Sequence, residues 1–260
     1  MKRERRFQRD RMKKGIFLLP NLITTGGLFA GFSAVISSMN GRYELAAILI
    51  FVAAILDAFD GRIARLTKTT SKFGAEYDSL SDLVAFGVAP AILMYNWSLA
   101  AFGKWGWLIA FLYVVCGALR LARFNVQIGI IESRVFNGLP IPGAACVLAS
   151  SVLLYYKLGG DGRFESLIIP IGTAVLALLM VSSIKYYSFK DLNWLARKPL
   201  TSLLVAILIM ILIAAEPQIM VFTFILGYAL SGPGWFLYRL SRREVTWVGK
   251  RGEDKIETTP

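Results

Sequence analysis

Four aspartates stand in two closely spaced pairs in the first third of the chain. Asp57 and Asp60 are three residues apart at the end of one apolar segment, and Asp78 and Asp82 are four apart at the start of the next. Residues three or four apart lie on one face of a helix, so each pair projects both carboxylates in one direction. Because the connection between the pairs is short, the sequence predicts two antiparallel helices whose four carboxylates converge.

Such a convergence of negative charge needs a partner. Four carboxylates at one point repel one another by on the order of several kcal/mol unless protons or cations neutralise them. Hard divalent cations with oxygen ligands meet this need, which favours Mg²⁺ or Mn²⁺, with Ca²⁺ as a third candidate, over zinc. Two such ions ~3.5–4 Å apart would clamp a pyrophosphate. Gly61 and Gly74 allow close backbone approach, and Arg65 can hold phosphate oxygens.

The elements that must position these carboxylates are long apolar segments. The 260 residues are 56% hydrophobic, with a mean hydropathy of +0.57, and a membrane crossing needs roughly 20 largely apolar residues. Eight stretches come near that length: 16–38, 44–66, 79–99, 105–125, 142–158, 165–186, 200–215 and 218–238. The predicted fold class is therefore an all-α integral membrane protein with about eight transmembrane helices.

The basic residues predict the orientation of these helices, because Lys and Arg concentrate in cytoplasmic loops. With both termini in the cytoplasm, all but four of the 29 basic residues lie on the cytoplasmic side. We therefore expect a multi-pass protein of the cell membrane with its carboxylate site facing the cytoplasm. Residues 1–15 are interpreted as a basic juxtamembrane segment, 16–240 as the polytopic catalytic domain and 241–260 as a cytoplasmic tail.

Charge and residue types exclude several functions. The net charge of +12 is compatible with nucleic-acid binding, but the basic residues adjoin the apolar spans, which is typical of contact with anionic lipid headgroups. We expect membrane lipids, and no nucleic acid, as partners. The chain has no histidine, which excludes His-dependent triads and His-ligated zinc. Cys116 and Cys146 fall inside predicted helices and are interpreted as packing residues.

The aspartates belong to a longer pattern, Asp57-x-x-Asp60-Gly61-x-x-Ala64-Arg65, followed after eight residues by Gly74-x-x-x-Asp78-x-x-x-Asp82. This pattern resembles, position for position, the signature of the CDP-alcohol phosphotransferase family, and it implies that family's fold. The resemblance implies that the first three aspartates bind metals, and that Asp82 both contacts metal and deprotonates the attacking alcohol. It also implies that Gly61, Arg65, Ser71 and Gly74 bind the CDP group. The stretch Pro20-Asn21-Leu-Ile-Thr24 resembles the same family, which implies that Asn21 and Thr24 lie near the nucleotide.

Further stretches resemble the phosphatidylserine synthase branch of that family. They are 78–90, 119–125, 138–142 and 186–190. This resemblance implies transfer of a phosphatidyl group from CDP-diacylglycerol, or from an ether-lipid analogue, to L-serine with release of CMP. It also implies a homodimer, which is usual in the family.

A serine acceptor carries a carboxylate and therefore needs a cationic partner near the metals. Arg120 and Arg123, at the cytoplasmic end of the fourth apolar stretch, are the candidates, with Asn125 as a weaker companion. Both arginines would serve equally well as anchors whose charged ends reach the membrane surface.

Two other functions stay open at this point. The same chemistry can use another acceptor alcohol, such as glycerol 3-phosphate or inositol phosphate, although a phosphorylated acceptor calls for a denser basic pocket. A cation transporter can also place aspartates in a membrane. Gly61 and Arg65 argue against transport, because they suit phosphate binding and a fixed positive charge opposes cation passage.

Overall fold

Helices make up most of the chain. The computed structural model describes residues 2–67, 71–127, 135–187 and 199–253. The helices are α1 (Lys2–Met39), α2 (Tyr43–Thr67), α3 (Lys72–Asp82), α4 (Ala89–Trp97), α5 (Lys104–Gln127), α6 (Ile141–Lys157), α7 (Ile168–Val181), α8 (Pro199–Ala215) and α9 (Pro217–Glu253). A π-helical turn, Leu83–Val88, joins α3 to α4 without a break, and a 3₁₀ turn, Leu99–Phe102, precedes α5.

The predicted apolar segments each overlap one helical rod, when α3, the π turn and α4 are taken as a single rod. Within the described ranges, three helices are long and apolar enough to cross a membrane, namely Pro20–Met39, Lys72–Trp97 and Lys104–Val126. The apolar helices Ile141–Lys157 and Ile168–Val181 are shorter. The all-helical fold class is confirmed. The number of crossings and the orientation of the termini stay predictions, as do the boundaries at 15 and 240, which fall inside α1 and α9.

Two helix boundaries differ from the predicted ones for identifiable reasons. The third rod begins at Lys72, ahead of the predicted residue 79, because its first turns are polar and are capped by the Ser71 side chain. Hydropathy does not detect such turns. The helix predicted over 165–186 ends at Val181, because the chain then turns into a short strand.

That strand forms a small antiparallel ribbon, which the sequence did not predict. Strands β1 (Val135–Asn137) and β2 (Lys185–Tyr187) pair with each other. Gly138 follows β1 with a φ of +81°, and its N–H donates to the Ile184 carbonyl at 2.8 Å. A side chain at Gly138 would overlap the Met180 carbonyl oxygen, so only glycine fits here. The ribbon thereby ties the segment before α6 to the end of α7.

Small residues let α1 approach the helices that carry the aspartates. Ala30 and Ala34 of α1 are buried, and α1 packs along α2 and also contacts α3. A Cβ added at Gly31 would lie 2.6 Å from the Ala85 Cα, in the π turn. Such close backbone approach is typical of helix pairs in membranes. Helix α1 thus brings its polar residues to the ends of both α2 and α3.

Candidate active site

The first turns of α3 are fixed by contacts with α1. The Ser71 hydroxyl accepts a hydrogen bond from the Gly74 N–H at 2.9 Å, which caps the helix. A Cβ added at Gly74 would lie 3.3 Å from Oδ1 of Asn21. One turn further along, the hydroxyls of Thr25 and Tyr77 are 2.9 Å apart. These contacts hold α3 against α1 and so set the position of the aspartates that follow.

Three of the four aspartates meet at the end of α2. Carboxylate oxygens of Asp57, Asp60 and Asp78 all lie within 4.8 Å of one another. Asp60 is buried, and its Oδ2 accepts a hydrogen bond from the Thr24 hydroxyl at 2.9 Å. The Ser81 hydroxyl in turn donates to the Thr24 carbonyl at 3.2 Å. Asp57 and Asp78 are half-buried, so the cluster is partly withdrawn from solvent.

Asp82 lines the same cavity as the cluster. The cavity includes Thr24, Ser81 and Phe86 in its wall. Asp82 is the last residue of α3, directly before the π turn, and the Tyr113 hydroxyl donates to the Phe86 carbonyl of that turn at 3.3 Å. π-helical turns occur often at functional sites. Here the turn directs Asp82 into the cavity beside the three-aspartate cluster.

The cluster fits a divalent cation. Its donors are all hard carboxylate oxygens, the class of ligand that Mg²⁺, Mn²⁺ and Ca²⁺ prefer. Oxygens that bind one ion at ~2.0–2.6 Å lie at most ~4–5 Å apart, and the observed spread of 4.8 Å agrees with this limit. Hydrogen bonds from the Thr24 hydroxyl and the Gly61 N–H reach Asp60, but they do not cancel three negative charges. A bound divalent cation would offset two of these charges.

Arg120 of α5 brings a positive charge into electrostatic range of Asp82. Its guanidinium attracts the Asp82 carboxylate electrostatically. The side chain is largely withdrawn from solvent, and within the described part of the chain its buried Nε has no hydrogen-bond partner. Buried donors of this kind are uncommon in folded proteins, so each calls for an explanation. A negatively charged ligand beside Asp82 would supply the partner.

The other two predicted acceptor residues occupy different places. Asn125 is hydrogen-bonded to Ser79 on α3, with the Asn125 Nδ2 and the Ser79 Oγ 3.0 Å apart, so it lies beside the residue that follows Asp78. Nη1 of Arg123 instead donates to the Val181 carbonyl at 3.4 Å, at the end of α7. Arg120 and Asn125 are therefore near the aspartate helix, whereas Arg123 interacts with a helix terminus.

The residues predicted to bind CDP surround the ends of α1, α2 and α3. Thr24 lies within the cavity and Asn21 next to Gly74, as described above. A Cβ added at Gly61 would meet no atom within 4 Å among the described residues. Arg65 lies in the last turns of α2, but its side chain is outside the described part of the structure.

Two residues at the site escaped the sequence interpretation. Ser81 is buried at the site and shares a helix face with Asp78 and Ala85, so helical spacing alone could have identified it. Tyr228 of α9, whose hydroxyl lies within electrostatic range of Arg120, is distant in sequence from every motif. Only the tertiary structure reveals it.

The chain is similar in sequence to known proteins. Residues 17–184 match the CDP-alcohol phosphatidyltransferase family. The chain is 41% identical over 182 residues to the CDP-diacylglycerol–serine O-phosphatidyltransferase of Helicobacter pylori (strain ATCC 700392 / 26695), covering 69% of this chain and 76% of the relative. It is 38% identical over 174 residues to the Bacillus subtilis (strain 168) protein of the same name, covering 66% and 91%. It is also 37% identical over 179 residues to the archaetidylserine synthase of Methanothermobacter thermautotrophicus, covering 68% and 72%.

Proposed function

The chain belongs to the CDP-alcohol phosphatidyltransferase family, and we propose that it is a phospholipid-biosynthetic enzyme that transfers the phosphatidyl group of CDP-diacylglycerol to L-serine. The products are phosphatidylserine and CMP. The observation that carries the proposal is the cavity in which Asp82 lies beside the cluster of Asp57, Asp60 and Asp78. The identity to several proteins named for the serine reaction supports the choice of acceptor.

The four aspartates would hold two divalent cations, Mg²⁺ or Mn²⁺, between α2 and α3. When bound, such ions neutralise the carboxylates and polarise the pyrophosphate of the lipid donor. Thr24 contributes by orienting Asp60 through its 2.9 Å hydrogen bond, since a ligand held by a second residue loses less freedom when it binds.

The chemical step needs a base, and Asp82 has the position for it. Its carboxylate takes the proton from the serine hydroxyl while the serine oxygen forms a bond to the lipid-side phosphorus of CDP-diacylglycerol. The bond between that phosphorus and the bridging oxygen breaks, and CMP leaves with the electron pair. No covalent enzyme intermediate is required for this exchange.

The substrates would approach from two sides of the aspartates. The CDP group would lie at the ends of α1, α2 and α3, near Asn21, Thr24, Gly61, Arg65, Ser71 and Gly74. The absence of any described atom within 4 Å of a Cβ added at Gly61 supports this placement. Serine would lie on the α5 side, where Arg120 can bind its carboxylate with paired donors and Asn125 lies nearby. Arg123 is a weaker candidate for binding the serine carboxylate, because it interacts with the end of α7.

The finer setting of the enzyme is part of the same proposal. We infer about eight membrane crossings with both termini and the active site on the cytoplasmic side, which the apolar rods and the distribution of basic residues support. A homodimer is expected from the family resemblance. The likeness to an archaetidylserine synthase keeps an archaetidyl donor as the alternative to diacylglycerol.

The test is CMP release by the purified protein in detergent with CDP-diacylglycerol and Mn²⁺. Serine should stimulate release, whereas glycerol 3-phosphate and inositol phosphate should not. Stimulation by one of these other alcohols would keep the reaction class and overturn the acceptor. If thermal unfolding shows that the protein is folded and it still releases no CMP with any acceptor, the enzyme proposal is wrong and an ion-transport site is favoured.

A further inference from the structure

The last helix reaches the acceptor side of the active site, although the family match ends before it, at residue 184. Tyr228 belongs to α9, and its hydroxyl lies within electrostatic range of the Arg120 guanidinium. Arg120 in turn attracts the Asp82 carboxylate. Arg120 therefore lies between the candidate base and a residue that follows the end of the family match.

The ring of Tyr228 is held by β2. Its centroid is 5.7 Å from that of Tyr186, with the rings tilted by 50°. Tyr186 is fully buried, and its hydroxyl donates to the Ala229 carbonyl at 3.0 Å. Gly232, one turn further along α9, packs directly on the Tyr186 ring, where any side chain would overlap it. The small ribbon thus fixes the segment of α9 that carries Tyr228.

A second contact comes from α6. A Cβ added at Gly143, in the first turn of that helix, would lie 3.9 Å from Cε1 of Tyr228. Helix α6 packs against α9, so the Tyr228 ring lies between β2 on one side and the start of α6 on the other. A residue that merely faced lipid would not need such a setting.

Arg120 itself has unused binding capacity. A guanidinium carries five N–H donors in a planar fork, and the buried Nε of Arg120 has no partner in the described part of the chain. Such a fork matches the two oxygens of a carboxylate. The match depends on orientation, so a neighbour that limits the rotation of the guanidinium increases affinity for a carboxylate ligand.

We propose that Tyr228 is a positioning residue that holds Arg120 toward Asp82, so that α9 completes the subsite for the carboxylate of the acceptor amino acid. This inference rests on the proposed function. It assigns the choice of an amino-acid acceptor partly to a helix outside the family match, while the shared aspartates carry the reaction. Removing the Tyr228 hydroxyl should therefore weaken serine binding and leave the chemical step largely intact.

The test is Tyr228→Phe, which keeps the ring and its contact with Tyr186. We expect KM for serine to rise about tenfold, with a much smaller change in kcat and in KM for CDP-diacylglycerol. The preference for serine over serinol, in which a hydroxymethyl group replaces the carboxylate, should fall by a similar factor. The matched control is Tyr155→Phe, which removes a hydroxyl that donates to the Asp161 carbonyl at 3.1 Å and should leave KM for serine unchanged.

A double-mutant cycle separates positioning from an independent contact. If Tyr228 acts through Arg120, then Tyr228→Phe should have little further effect on KM for serine in an Arg120→Lys background. An unchanged KM in the single variant, or the same tenfold rise in both backgrounds, would overturn the inference while the proposed function stands. A wild-type protein that releases no CMP in response to serine would overturn the proposed function, and this inference with it.

Discussion

The two ends of the helical bundle treat their polar groups in different ways. We call the end with Trp97, Tyr155 and Phe164 the aromatic end. There the Tyr43 hydroxyl donates to the Asn96 carbonyl at 3.0 Å, and the Phe164 N–H donates to the Trp97 carbonyl at 3.0 Å. The three rings of the aromatic end pack on one another with centroids 4.8–5.6 Å apart. Polar groups here mainly serve the fold.

The carboxylate end, defined by Asp57, Asp60, Asp78 and Asp82, has the opposite character. Three carboxylates lie within 4.8 Å of one another, and the Arg120 Nε is buried without a partner among the described residues. Like charges brought together in a half-buried place destabilise the protein when no ligand is present. The charges at this end are therefore available to bind ligands, and they lower the stability of the folded chain when no ligand is bound.

The two ends differ in charge, although buried groups without partners occur at both. Trp97 Nε1 and Ser98 Oγ at the aromatic end are also buried without a partner in the described structure. These two groups are uncharged, unlike the carboxylates and the guanidinium at the other end. We expect substitutions at the carboxylate end to change activity more than stability, and substitutions at the aromatic end to do the reverse.

The largest expected effect is that of Asp60→Asn. It removes a charge from the cluster, so activity should fall by about a thousandfold or more. The rise in thermal midpoint that Mn²⁺ gives the wild-type protein should disappear, since binding to the folded state is what causes it. Asp161→Asn, in an exposed turn beyond α6, is the control and should leave both measurements unchanged. An Asp60→Asn protein with activity near wild type would contradict the assignment of function to the carboxylate end.

Thr24→Val should have the next largest effect. It removes the hydrogen bond that orients Asp60, and loss of such a supporting contact typically costs about 10- to 100-fold in metal affinity or activity. The measurement is the Mn²⁺ concentration that gives half-maximal activity. Thr173→Val is the matched control, because Thr173 is also buried and donates to the Ile169 carbonyl at 2.8 Å in α7. Equal shifts in the two variants would contradict the assigned role of Thr24.

Two glycines, Gly61 and Gly106, should respond differently to replacement by alanine. At Gly61 an added Cβ would meet no described atom within 4 Å, so Gly61→Ala should keep the thermal midpoint but reduce activity by about tenfold through a higher KM for CDP-diacylglycerol. Gly106, at the aromatic end, lies directly against the Leu99 carbonyl. Gly106→Ala should destabilise the protein by about 1–3 kcal/mol through the resulting overlap, as measured by thermal unfolding. The reverse pattern of effects would show that the ends are assigned wrongly.

The smallest effect is expected from Tyr43→Phe. The variant loses the hydrogen bond to the Asn96 carbonyl, which is worth about 1 kcal/mol, and an exposed contact with Arg163. Thermal unfolding should register this small loss, while kcat and both KM values stay within twofold of wild type. A clear loss of activity in this variant would mean that the aromatic end also takes part in the reaction.

Much of this organisation could be predicted from the sequence, because hydropathy and helical spacing are local properties. The apolar stretches marked the rods, and the spacing of Asp57 with Asp60 was sufficient to place both on one face. The polar first turn of α3 was missed because its stability comes from the Ser71 cap and from contacts with α1. The β ribbon was missed because its strands are three residues long and pair across α6 and α7.

The less predictable part of the site depends on tertiary contacts. Arg120 and Arg123 are equivalent in the sequence, yet one faces Asp82 and the other donates to the end of α7. Helical rotation decides this difference, and neither charge nor spacing reports it. Tyr228 joins the site only because the ribbon and α6 hold α9 in place, an arrangement that local sequence does not encode.

The most direct test of the central claim is the activity of Asp82→Asn with CDP-diacylglycerol, serine and Mn²⁺. The assignment of Asp82 as base predicts that serine-dependent CMP release falls by about a thousandfold or more. Because Asp57, Asp60 and Asp78 are intact, Mn²⁺ should still raise the thermal midpoint of the variant. Release above one tenth of the wild-type rate, from a variant that retains this Mn²⁺ response, would contradict the role of Asp82.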